Sequence, residues 1–291
     1  MAYAESVAAQ SVPLMVEVCR RIQEMSTLPH VALRLMEVAN NPNSSAREMK
    51  EVMEADAALS ARVLRCVNSS AYATRAKITN LQQAIAFLGV KQVRNLAMTA
   101  SVSRLFEKEV KAGPYDRKGL WRHYVSVGVC ARLIAMRLRM AAFEDVFLAG
   151  LLHDLGISLE DQHVHEAFVQ AMEELAQGTT LCELERRHLG FDHTILGAHV
   201  GKAWRLPCGV IDSIRHHHDT ASCQSQYAEV VRCVAVANFL CSVKGYSSVG
   251  VHVVEFPRQE IMDLSLGKED LVVLAGDFDR ELASNQILFQ M

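Results

Sequence analysis

Apolar residues recur three and four places apart along almost the whole of this chain, and that periodicity restricts it to packed helices. From Val12 the first stripe runs through Leu14, Val18 and Ile22, and a later one through Leu59, Val63, Leu64 and Val67. Within Trp121 to Arg139 the stripe is Val125, Val129, Leu133, Ile134 and Leu138. Only Gly245 to Phe256, with Val249, Val251, Val253 and Val254, has strand-like composition, and it reads equally as an ordered loop. The expected fold is all-α, a multi-helix bundle.

Punctuation divides the bundle. Thr27-Leu28-Pro29 is a break, with Pro29 suited to the first turn of a helix carrying Val31, Leu35, Met36 and Val38. Asn40-Asn41-Pro42-Asn43 is a stop. Ser45-Ala46-Arg47-Glu48 reads as a capping box, and Asp56 as the cap of the next helix. Asn68 to Tyr72 interrupts the pattern; Asn80 then opens a segment with Ala84, Ile85 and Leu88, and Gly89 turns the chain into Val90 to Phe106. At Lys111-Ala112-Gly113-Pro114 composition and periodicity both break, which places a small helical subdomain at 12–112 and a larger one at 113–291. The second contains helical patterns at 121–139, 144–155, 163–176, around 182–189, 194–204, 210–217 and 228–243, and a tail from Ile261 expected to pack back on the core. Arg132, Arg137 and Arg139 read as a solvated face.

With 291 residues, 50% hydrophobic and 22% charged, the composition is that of a soluble globular protein. A net charge of -3 gives no global argument for nucleic acid or an anionic membrane. No uncharged apolar run reaches a spanning length, and the start lacks a secretory signal, so no membrane association and a cytoplasmic location are expected. None of the eight cysteines forms a Cys-x-x-Cys pair, and they read as small buried hydrophobes. Asn80 to Val102, turning at Gly89 with Lys91 and Arg94 beyond, superficially resembles a helix-turn-helix, but few basic residues cluster there, so nucleic-acid binding is the weaker reading.

The chemistry concentrates in Leu151-Leu152-His153-Asp154-Leu155-Gly156. Adjacent imidazole and carboxylate can grip one metal ion or bridge two. His123, His193, His217 and His218 fall near helix ends, where side chains from several helices can converge. Taken singly, each histidine is more often a carbonyl partner or a helix cap than a ligand. Together they form a mixed nitrogen and oxygen set suited to Mn, Fe, Mg or Zn, whose Lewis acidity serves phosphoester hydrolysis. His163, His165, His188, His199 and His252 read as structural.

From about residue 25 to 285 the sequence resembles the HDOD family, signalling relatives of the HD superfamily of metal-dependent phosphohydrolases. In the first half the likeness rests on Leu28-Pro29 through Leu35, Asp56 to Arg65, Val67 to Tyr72, Ile78-Thr79 and Ala84 to Gly89. In the second it rests on Phe147 to Gly156, Gly190-Phe191-Asp192-His193, Trp204 to Pro207 and Ile214 to Asp219. The resemblance implies a small N-terminal helical subdomain followed by an HD-like helical bundle. Its ligand positions fall on His123, His153, Asp154, His193, His217 and His218, with the distal carboxylate position occupied by Asn238. Ile157 stands where relatives often have lysine, and no Gly-Tyr-Pro stretch follows Asp219. Asn238 offers only a neutral carbonyl oxygen, and Ile157 removes a cation that could meet a phosphate.

The resemblance therefore implies a bacterial regulatory module, non-catalytic and acting through contacts with signalling proteins. Its HD pocket would hold a divalent metal, a nucleotide-type ligand or neither, and self-association into a homodimer is compatible with it. The alternative is a metal-dependent phosphohydrolase acting on a nucleotide or cyclic dinucleotide.

Overall fold

The computed structural model describes residues 14–22, 30–41, 44–69, 72, 74, 76–175, 178–250 and 255–290. The first half is helical: α1 (14–22), α2 (His30–Asn40), α3 (Ala46–Glu54), α4 (Ala57–Val67), α5 (Leu81–Leu88) and α6 (Val90–Val102). A hairpin of two-residue strands, β1 (Lys111–Ala112) and β2 (Tyr115–Asp116), leads into α7 (Arg117–Arg137). Then follow α8 (Phe143–Leu152), α9 (Leu155–His163), α10 (His165–Glu174), α11 (Leu181–His188), α12 (His193–Ala203) and α13 (Cys208–His216). The chain ends with α14 (Ala228–Val243), α15 (Arg258–Asp263), α16 (Lys268–Ser284) and a 3-10 turn at Gln286–Gln290. The architecture is all-α, and one hydrophobic core runs from Val18 to Leu288. Among the described residues, no helix is long and apolar enough to cross a membrane. The breaks at 27–29 and 42–43, and residues 251–254 of the strand-like stretch, lie outside the described residues; residues 245–250 form turns rather than a strand.

Local chemistry explains many of the boundaries. Ser45 and Glu48 cap α3 reciprocally, Glu48 N donating to Ser45 Oγ (3.2 Å) and Ser45 N to Glu48 Oε2 (2.8 Å). Asp56 accepts from Leu59 N at 2.9 Å, and Asn80 accepts from Gln83 N at 2.9 Å. After α4, Asn68 pins the following loop: its Nδ2 donates to Leu64 O and Ile78 O, and its Oδ1 accepts from Ile78 N, each at 2.8 Å.

The break expected at 111–114 is the turn of the hairpin. There Gly113 has φ +51°, and a Cβ on it would lie 2.6 Å from Met172 O of α10. The two halves are locked where α6 meets α8. The fully buried Arg94 donates to Asp145 Oδ1 (2.9 Å), Lys91 to Asp145 Oδ2 (2.7 Å), and Asn95 Nδ2 to Glu144 O (2.8 Å). Burial would raise the Asp145 carboxyl; Lys91 and Arg94 more than offset this and hold it below its ordinary value. Acidic residues in the first turn of α8 also suit its macrodipole.

Three sequence expectations change. The helix expected over 144–155 stops at Leu152, and a separate helix, α9, begins after Asp154. Every residue of α9 from Leu155 to Asp161 is buried, so no amphipathic stripe announces it. His123, expected at a helix start, lies well inside α7, because Asp116 caps that helix through Lys118 N. The arginines of α7 are not simply solvated: Arg132 lies 3.4 Å from Glu144 and 3.8 Å from Glu281, and Arg137 bonds Asp270 of α16 at 2.6 Å.

Candidate metal centre

Two glycine contacts bring the ligands within reach of each other. α7 and α8 cross where a Cβ on Gly150 would lie 2.8 Å from Val127 O, and this approach sets His123 beside His153. α9 and α12 meet where a Cβ on Gly156 would lie 1.9 Å from His193 O, which sets His193 beside Asp154. His153 and Asp154 are the C-cap of α8 and the N-cap of α9. The sharp turn between those helices aims both side chains inward, and both are buried.

The two Asp154 oxygens face different rings. Oδ2 lies 3.4 Å from His123 Nε2 and 3.3 Å from His153 Nε2. Oδ1 lies 3.1 Å from His217 Nε2 and 3.6 Å from His193 Nε2. The structure thus assembles His123, His153 and Asp154 into one potential ligand group, and Asp154, His193, His217 and His218 into a second that shares the carboxylate. His218 is the exposed member; its ring centroid lies 4.0 Å from that of His217 and 5.2 Å from that of His193. Asn238, on α14, is buried, and its Oδ1 has no hydrogen-bond partner. Ile157 is buried in the first turn of α9.

Each inner imidazole is held by its other nitrogen. His123 Nδ1 lies 2.6 Å from Tyr246 O, His153 Nδ1 2.8 Å from Gly150 O, and His217 Nδ1 3.0 Å from Ser213 O. A backbone carbonyl can only accept, so each Nδ1 carries a proton and each Nε2 is left facing inward. His193 Nδ1 instead meets Glu185 Oε2 at 2.7 Å, and the same oxygen accepts from His193 N at 3.0 Å. Tyr124 OH donates to Asp154 O at 2.5 Å.

Electrostatics and hydrogen bonding agree with a cation site. Burial alone would raise the Asp154 carboxyl, but His153, His123 and His217 beside it hold it well below the usual carboxylate range. Burial would lower His193, yet the Glu185 charge raises it well above its ordinary value. Burial lowers His217, outweighing the Asp154 carboxylate beside it. Asp154 Oδ1, His193 Nε2 and His217 Nε2 are buried, mutually close, and make no hydrogen bond. Nitrogen and oxygen atoms converging without a hydrogen-bond partner are what a cation would satisfy once it displaces the proton that His193 holds, so these residues fit a divalent metal.

Glu185 and the Tyr246 carbonyl escaped sequence reasoning. Glu185 sits in the charged run Glu183-Leu184-Glu185-Arg186-Arg187, which reads as surface, yet it is fully buried. Behind it the buried Glu160 carboxyl is pushed well above its ordinary value by burial, and then by the Glu185 charge. Partners of this kind orient a ligand and raise its basicity. Glu185→Gln is therefore expected to weaken divalent-metal affinity by roughly 10- to 100-fold, read by calorimetric titration with Mn²⁺ or Zn²⁺. Unchanged affinity would remove His193 from the ligand set.

Comparisons with known proteins agree on the fold. An HDOD domain protein of unknown function from Geobacter sulfurreducens shares 26% identity and a TM-score of 0.74, covering 95% of this chain and 97% of that one. A provisionally named phosphohydrolase from Shewanella amazonensis SB2B shares the fold at 22% identity and a TM-score of 0.71, covering 94% and 97%. An uncharacterized protein of Treponema pallidum (strain Nichols) is 25% identical over 242 residues, which are 80% of this chain and 45% of that protein. The chain thus spans about half the length of that curated relative. Residues 25–220 match the HDOD domain, and the chain belongs to the HDOD family.

Proposed function

We propose that this HDOD chain is a signal-transduction module whose histidine–aspartate centre binds divalent metal and which acts through protein contacts, without turnover. The observation that carries the metal half is the set of converging, hydrogen-bond-free atoms on Asp154, His193 and His217. His123, His153 and Asp154 Oδ2 would hold one ion, and Asp154 Oδ1, His193, His217 and His218 a second. A metal bound there supplies Lewis acidity and lowers the pKa of bound water. The chain's own groups do little to turn that into hydrolysis. Asn238 brings no charge where catalytic relatives have a carboxylate, and Ile157 offers no cation to a phosphate. His123, His153, Asp154, His193 and His217 are all buried, which limits access of a phosphoester to them.

The second reading is a metal-dependent phosphohydrolase, favoured by one observation: the shared carboxylate between two histidine groups suits a two-ion clamp. Elemental analysis of protein purified without a histidine tag separates these readings when combined with hydrolysis assays. The assays use bis(p-nitrophenyl) phosphate and a cyclic dinucleotide after Mn²⁺ or Fe²⁺ loading. The module predicts bound transition metal and no turnover. Turnover lost in Asp154→Ala establishes the hydrolase, and protein that takes up no metal on reconstitution overturns both.

A further inference from the structure

Outside the metal centre, two cavities flank one arginine. The larger, about 750 Å³, lies between α7 and the C-terminal turn, with Phe106, Trp121 and Phe289 among its walls. The smaller, about 240 Å³, is lined by Gly119 of α7 and by Gly245, Ser247, Ser248 and Gly250 of the loop after α14. Arg122 and Tyr246 line both.

The larger cavity is of ligand size, with aromatic rings set among charged and amide side chains. Trp121 is fixed in its wall, because its indole N–H donates to Phe289 O at 3.2 Å, and its ring lies 5.3 Å from that of Phe106. The smaller is lined by the Ser247 and Ser248 hydroxyls, glycine backbone, Arg122 and the Asp116 carboxylate. Gly245 and Gly250 take φ of +87° and +77°, and the Gly245 and Tyr246 amides close the end of α14 on Ser242 O and Cys241 O, which turns Ser247 and Ser248 toward the cavity. Ser247 and Ser248 are half-buried, and their hydroxyls make no hydrogen bond among the described residues. Arg122 is exposed and makes no ion pair among the described residues.

Of the acidic groups nearby, two lie beside cations, and the third, Asp116 in the wall of the smaller cavity, caps α7. Asp279 pairs with Lys244 at 2.6 Å, Asp116 accepts from the Lys118 amide at 3.3 Å, and Glu107 lies 3.9 Å from Arg62. That leaves the Arg122 guanidinium and the two hydroxyls without an ion pair or hydrogen bond among the described residues, beside the ring of Phe289. The loop is also held in place. Val249 is buried, and a Cβ on Gly250 would lie 2.3 Å from Pro114 O. The Tyr246 carbonyl bonds His123 Nδ1. A loop fixed at three points loses little entropy on binding.

We propose that this trough binds a planar heteroaromatic anion the size of a nucleoside monophosphate, its ring against Phe289 and its anionic group between Arg122 and Ser247-Ser248. None of the metal-centre side chains takes part, so the site is separate from the reading above and fails or stands without it.

The test is calorimetric titration of the whole chain with AMP, adenosine and inorganic phosphate, with metal content measured on the same samples. AMP should bind saturably, and adenosine and phosphate each at least about tenfold more weakly, since each keeps only half of the contacts. Arg122→Ala, on an exposed side chain, should weaken AMP binding about tenfold, and the double variant Ser247→Ala/Ser248→Ala should weaken it with an unchanged melting temperature. Absence of saturable AMP binding at millimolar concentration overturns the proposal. So does equal AMP affinity in Arg122→Ala, or phosphate binding as tightly as AMP.

Discussion

Gly156→Ala is expected to dismantle the metal centre and to destabilise the fold by about 3 kcal/mol or more, at the upper end of what overpacking costs. The added Cβ would lie 1.9 Å from His193 O, 2.6 Å from His193 C and 2.7 Å from His193 Cα. All three are backbone atoms, so no side-chain rotation relieves the clash. α9 and α12 must separate, and the contact is tight from both sides: a Cβ on Gly197 of α12 would lie 3.0 Å from Gly156 N. Separation carries His193 away from both Asp154 Oδ1 and Glu185, so metal affinity falls with stability. For a chain of this size the melting temperature should drop by roughly 6 °C or more. Gly276→Ala on α16 is the control, because an added Cβ there meets nothing within 4 Å and helix propensity improves. A Gly156→Ala protein that melts and binds metal like the parent would show that the close approach of α9 and α12 is not needed.

The contrast between those glycines marks what the sequence could tell. The helices were legible wherever one face is wet, and Ser45, Asp56 and Asn80 announced their ends through local capping chemistry. α9 was not, because burial on all sides erases the period that reveals a helix. The hairpin at 111–116 has two residues per strand, too few to show alternation. At the site, His153 and Asp154 were legible as neighbours, and the outlying histidines through family likeness. The groups that orient them were not. Tyr246 acts through its carbonyl, which any residue has, and the Glu185 carboxylate is buried where it meets the first residue of α12. Gly156 was visible as a residue after the pair; its clearance from His193 is a property of two helices that meet in three dimensions.

The second large effect should come from moving one charge within the centre. Asp154 is the carboxylate common to both ligand groups, so Asp154→Asn, which keeps the shape and removes the charge, should empty both. Losing a group that only orients a ligand costs roughly 10- to 100-fold in metal affinity, and loss of a shared ligand should exceed about 100-fold. The readout is the rise in melting temperature when Mn²⁺ or Zn²⁺ is added. At a hundredfold excess over Kd the parent gains about 2.7 kcal/mol, and Asp154→Asn should gain almost nothing. Asn238→Asp moves the charge the other way. Asn238 Oδ1 is buried and lacks a partner, so a carboxylate there is expensive until a cation arrives. The variant should melt below the parent in chelator and show the larger gain with metal, with affinity about tenfold higher. A variant that is destabilised in chelator but gains no more than the parent with metal would place Asn238 away from the bound ion, and the missing carboxylate would then explain nothing about catalysis. Turnover of bis(p-nitrophenyl) phosphate by Asn238→Asp alone would identify that one charge as what separates this chain from a hydrolase.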